Sequence, residues 1–117
     1  MRLVRMFAGE DGQSHFEEID LPAKADAVGE TGILLKASGR VIMRRVLPGP
    51  DAGWHTAPRL QYVVVLSGEM DVEVAGGVVR RFRPGDVLLT EDTTGKGHIT
   101  RTVGDTPRVM LHIPLEP

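Results

Sequence analysis

Between Glu69 and Ala75 the chain alternates without a break, with Met70, Val72 and Val74 interleaved among Glu69, Asp71 and Glu73. A period of two puts one set of side chains in a core and the other in water, the pattern of a half-buried strand. Gly76-Gly77 follows, a pair that tolerates positive φ and suits a hairpin turn, and Val78 to Phe82 reads as the returning strand. Short runs of this kind recur between turn residues along the whole chain. Its 117 residues include 14 glycines and 8 prolines, against a usual glycine share of roughly 7%. No stretch carries helical periodicity over a normal helix length. Many short strands leave many open edges, and closing them into a barrel or double sheet hides those edges. The expectation is an all-β fold.

The other predicted strands are Arg2 to Phe7, His15 to Ile19 at a sheet edge, Ile33 to Ala37, Val41 to Leu47, Asp86 to Thr90, His98 to Val103 and Arg108 to Ile113. Ser38-Gly39-Arg40 is read as a hairpin turn, and Pro22 to Gly32 as a loop with at most one helical turn. His98 to Val103 and Arg108 to Ile113 are expected to pair around Gly104-Asp105-Thr106-Pro107. A chain of this length supports one hydrophobic core, so residues 1–117 are read as a single domain.

Several function classes are disfavoured by composition. The formal charge of −2 gives no electrostatic reason to expect nucleic acid or an anionic membrane. The absence of cysteine rules out disulfides, thiolate metal cages and a cysteine nucleophile. Met1 to Phe7 is not followed by an apolar run, so no secretory signal is read, and Val63 to Leu66 is far too short to span a bilayer. The expected location is the cytoplasm. Glu69-Asp71-Glu73 is a solvated face, and the Thr-Thr-Gly-Lys-Gly run lacks the spacing and following helix of a phosphate loop.

The stretch Gly49 to Gly68, GPDAGWHTAPRLQYVVVLSG, places Gly49, His55, Gln61 and Gly68 at set intervals, with Ala57 two residues after His55. Further on, Arg83-Pro84-Gly85-Asp86-Val87-Leu88-Leu89 leads to Gly95-Lys96-Gly97-His98. These two segments resemble the paired motifs of the cupin family, over roughly Arg40 to Pro114. Ala57 stands where that family usually has its second histidine, Gln61 where it has a glutamate, and Thr102 where it has an asparagine. The intervening Glu91-Asp92-Thr93-Thr94 makes the second motif about two residues longer and without its usual proline. The resemblance implies a cupin-type double-stranded β-helix, a jelly-roll barrel. Residues 1–39 would form N-terminal strands and a loop, and residues 40–114 the core with a site inside. It also implies a homodimer built through the N-terminal strands. It transfers no particular reaction, because one fold hosts many chemistries.

Strand parity puts His55, Ala57, Arg59 and Gln61 on one face, continued by Val63 and Val65, provided Pro58 introduces no irregularity. His98, Thr100 and Thr102 share a face on the partner strand. The expected metal ligands are therefore His55, Gln61 and His98, holding a divalent zinc, nickel, manganese or iron ion. A neutral amide in place of a carboxylate makes that set weaker than the usual one. Glu91 is the candidate proton carrier for catalysis, and Glu91 or Asp92 the candidate for an added carboxylate. The ligand-binding candidates are Arg59, Gln61 and His98, with a small polar molecule as partner. His15 and His112 have no motif context and are read as surface or packed histidines, and Trp54 as packing over the barrel end. A depleted metal site that acts on or senses a small molecule leads these readings. A metal-free binding module without turnover, holding an organic anion through Arg59 and His98, is the alternative, and a purely structural barrel the third.

Overall fold

The structure, a computed structural model, describes residues 2–20 and 36–116. Nine strands follow one another in these residues: β1 (Leu3–Ala8), β2 (Ser14–Ile19), β3 (Ile42–Val46), β4 (Gln61–Ser67), β5 (Met70–Val74), β6 (Val78–Phe82), β7 (Val87–Glu91), β8 (Ile99–Thr102) and β9 (Arg108–Pro114). They form a six-stranded sheet in the order β2-β1-β7-β4-β9-β3 and a three-stranded sheet in the order β6-β5-β8. Every named pairing is antiparallel except β1 with β7. No helix of the described residues is long and apolar enough to cross a membrane.

The core lies between the two sheets. Val4 and Met6 of β1, Val63 and Val65 of β4, Leu88 of β7 and Met110 of β9 face Met70, Val72 and Val74 of β5 and Phe82 of β6. All share the parity that sends alternate residues to one side of a strand. The clean alternation of β5 is therefore confirmed, with Asp71 and Glu73 turned outward. There they bond Arg81 and Arg101. The β5–β6 hairpin closes as expected through Ala75–Gly77, with φ of 81° at Gly76 and 74° at Gly77. A second, smaller apolar cluster of Leu3, Tyr62 and Leu89, joined by Ile113 and Val87, forms where the opposite parity of the same strands meets.

Most predicted strands agree with the observed ones to within a residue or two, and β2 does end its sheet. Two differ. The strands expected to pair around Gly104 to Pro107 lie in different sheets, with β8 against β5 and β9 between β4 and β3. Hairpin pairing is the local default, but here the turn carries the chain from one sheet to the other. The strand expected to run from His55 into Gln61 is reduced to an isolated bridge between His55 and His98, and β4 starts only at Gln61. Pro58, which has no N–H to give to a ladder, sits in the interruption. Of the predicted strand Ile33 to Ala37, the Lys36 carbonyl accepts from the Glu116 N–H and Ala37 bridges to Leu115, so the chain runs on alongside β9 into β3 and Ser38-Gly39-Arg40 is not a hairpin turn. Residues 33–35 and the loop Pro22 to Gly32 lie outside the described residues.

The switch from the larger sheet to the smaller one at the end of β4 depends on Gly68. Its φ is +70°, and a Cβ there would sit 2.5 Å from the Pro107 carbonyl oxygen and 2.8 Å from the Arg108 Cα. Both neighbours are backbone at the entrance to β9 and have no easy way to retreat. The left-handed conformation costs a non-glycine residue about 1–3 kcal/mol before the clash is counted. Gly68→Ala should therefore lower the unfolding free energy by at least about 2 kcal/mol, read as a shift in the urea midpoint at an unchanged m-value.

Candidate functional site

At one end of the sandwich the two sheets part around a cavity of about 340 Å³, within the size range of small-molecule sites. The inward residues of β4 (Gln61, Val63), β7 (Leu88, Thr90), β9 (Arg108, Met110, His112) and β3 (Arg44) form its wall on the larger sheet. Thr100 and Thr102 of β8, Met70 of β5 and the segment Leu47 to Pro58 complete it.

The two sequence motifs meet at its rim. His55 and His98 exchange both backbone hydrogen bonds, 3.0 Å from the His55 N–H to the His98 carbonyl and 2.9 Å in return. Gly97 permits this approach: a Cβ there would lie 2.0 Å from the His55 carbonyl oxygen. The imidazoles stand with centroids 4.7 Å apart, and both line the cavity. His55 Nδ1 is 2.9 Å from the Gly53 carbonyl oxygen, an acceptor only, so Nδ1 carries the proton. His98 Nδ1 is 2.6 Å from Asp92 Oδ2, which also accepts from Ser14 Oγ at 2.6 Å. Asp92 is fully buried, and behind His98 it fixes the ring so that Nε2 is left for the cavity.

A model of the cupin domain matches residues 42–114. The chain belongs to the cupin family. This cupin is similar in structure to a protein of Neisseria meningitidis, at 21% identity over 71% of this chain and 84% of that one, with a TM-score of 0.53. It is similar to an uncharacterised conserved protein with a double-stranded β-helix domain from Klebsiella pneumoniae, at 21% identity over 71% of each chain and a TM-score of 0.52. The Cnp3 cupin domain of Schizosaccharomyces pombe resembles it at 13% identity over 88% of this chain and 73% of that one, with a TM-score of 0.51. At these identities the likeness is one of fold. No curated protein matches the chain.

Of the site residues expected from this cupin's sequence, His55, Gln61 and His98 all line the cavity. Gln61 is buried, but its Oε1 accepts a hydrogen bond from Arg59 Nη1 at 3.2 Å. Arg59 is exposed and reaches the site only through that amide. Glu91 requires a correction. It ends β7 on the parity of Val87 and Leu89, away from the cavity, where its carboxylate is held by Arg5 Nε. It cannot carry a proton into the barrel. Asp92, one residue on, has the parity of Leu88 and Thr90 and is the carboxylate that reaches inward, although it stops behind His98. His15 is a surface residue bonded to Asp11, and Trp54 is exposed beneath the Lys96 ammonium.

Arg44 and Arg108 carried no expectation, and His112, read as a surface or packed histidine, is buried but faces the cavity; all three line it. His112 is 7% exposed, and neither ring nitrogen has a partner among the described residues. Burial first, then the charges of Arg44, Arg108 and Arg59, push its pKa down from 6.5 to about 4. The Arg108 guanidinium is pushed below its ordinary value by burial and by Arg44.

A base whose folded pKa is depressed favours folding most while neutral. The contribution of His112 is therefore complete above about pH 6.5 and is lost as pH falls through about 4. The loss should be on the order of 2 kcal/mol. Denaturation curves at pH 7 and pH 4.5 should show the drop, and His112→Gln, neutral throughout, should lack that share of it.

Proposed function

We propose that this cupin is a metal-free module that binds a small polar molecule in its barrel cavity. Gln61 carries the reading. The position that would supply a metal with its oxygen ligand holds an amide whose oxygen is already an acceptor for a guanidinium. The other donors follow suit. Among the described residues Asp51 is the one carboxylate lining the cavity, and its Oδ2 accepts from Arg101 Nε at 3.0 Å. Among the described residues no group of three His, Cys, Asp or Glu side chains is placed to hold a metal ion. Two imidazoles with no free carboxylate beside them as a further ligand, since Asp92 stands behind His98, and facing a wall that carries Arg44 and Arg108, are a poor donor set for a dication. The metal common in the family does not fit these residues, and no step is routed through one. What the site offers instead is two imidazole Nε2 atoms, the hydroxyls of Thr90 and Thr100, and cationic groups around an apolar floor of Val63, Leu88 and Met110. That mixture suits orienting a small polar ligand.

Elemental analysis of the purified protein should find no stoichiometric metal. Chelator, or added zinc, nickel, manganese or iron(II), should leave the melting temperature within about 1 °C. A metal at 100 times its dissociation constant would add about 2.7 kcal/mol and raise the melting temperature by several degrees. One ion per chain, with a thermal gain abolished in His98→Ala, would overturn the reading.

A further inference from the structure

Strand β9 is built inside out. Its aliphatic residues Val109, Leu111 and Ile113 face away from the cavity, while Arg108 and His112 face inward beside Met110. β3 repeats the inversion at its middle, with Met43 62% exposed and Arg44 lining the cavity, although Val46 on the same face as Arg44 packs on the core. Arg44 stands opposite Met110 in the register and so lies diagonal to both Arg108 and His112. Arg108 is only 8% exposed, its Nε has no partner among the described residues, and its one hydrogen bond is a weak one from Nη1 to Met70 Sδ at 3.5 Å. No carboxylate of the described residues pairs with Arg108 or Arg44. Buried guanidinium groups are ordinarily paired, and buried imidazoles hydrogen-bonded.

We propose that Arg108, His112 and Arg44 form a carboxylate-binding subsite, so that the molecule held in the cavity is a small organic acid whose carboxylate lies against the Nε edge of Arg108. This rests on the cavity being a metal-free binding site and adds the chemical class of its ligand. A carboxylate supplies the missing acceptor for Arg108 Nε in the side-on geometry that guanidinium groups favour. His112 donates through a ring N–H, and Arg44, at the exposed side, closes over the second oxygen. One negative charge matches the one deeply buried cation. A phosphate dianion would exceed it, and no helix N-terminus among the described residues is there to share the extra charge. The ligand's remaining polar groups then meet Thr90, His55 and His98.

Isothermal titration calorimetry with butyrate, benzoate, butyramide, benzamide and inorganic phosphate tests this. At least one acid should bind saturably at one per chain, at least about 10-fold more tightly than its amide and than phosphate. Arg108→Met should weaken that acid about 10- to 100-fold, the range of a lost charge-assisted hydrogen bond, while holding or raising the melting temperature of the free protein. Arg44→Gln, at the exposed side, should weaken it about 3- to 10-fold and carries the test should Arg108→Met fail to fold. Equal affinity for acid and amide, or acid binding indifferent to both variants, overturns the subsite and leaves a neutral-ligand cavity standing. Phosphate binding more tightly than both acids overturns the assignment to carboxylates. The absence of saturable binding by either acid overturns the proposal, and stoichiometric metal uptake in the same preparation overturns the metal-free reading beneath it.

Discussion

The His55 carbonyl oxygen occupies the place where any residue other than glycine at position 97 would put a Cβ. This contact joins two motifs that are far apart in sequence, and much else is hung from it. Once His55 and His98 exchange their backbone hydrogen bonds, the Ala57 N–H reaches the Asp92 carbonyl oxygen at 3.0 Å. The segment that fails to become a strand around Pro58 is thus pinned from both ends, and the barrel end stays open enough to hold a cavity. The Asp92 side chain is at the same time directed behind His98 and onto Ser14, so the N-terminal strand pair is tied to the site by a fully buried carboxylate. Fold closure and the orientation of an imidazole come from the same few atoms.

The sequence makes strand faces easier to read than strand partners. Met70, Val72 and Val74 announce their burial through side-chain period alone. Nothing in Arg108 to Ile113 says that it will leave β8 and insert between β4 and β3, because that choice is made by long-range packing. Parity separates Glu91 from Asp92: Leu88 and Thr90 face inward, and Asp92, not Glu91, continues their face. β9 is informative in a different way. By hydrophobicity its inner face should be Val109, Leu111 and Ile113, and its wet face Arg108 and His112. The structure inverts this, and Ile113 finds cover in the outer cluster with Tyr62 and Leu89. Reasoning from local pattern fails most instructively where a site has been built against the pattern.

The whole chain carries more acid than base, yet the cavity is lined by more arginines than carboxylates. The difference lies in where the acids are placed. Asp86 takes Arg2; Glu17 and Glu91 take Arg5; Glu18 takes Arg80; Asp71 takes Arg81; Asp51 and Glu73 take Arg101. These pairs lie on or near the surface, where each contributes little to stability. Their collective effect is to remove carboxylates from the reach of Arg44 and Arg108. Net charge therefore says nothing about the potential inside this barrel, which is set by a few unpaired groups in a partly desolvated space where each acts at closer to full strength. The loss of the glutamate expected at position 61 points the same way. A carboxylate there would neutralise Arg59 and lower the potential of the cavity, whereas Gln61 accepts the same hydrogen bond and leaves the positive charge in place.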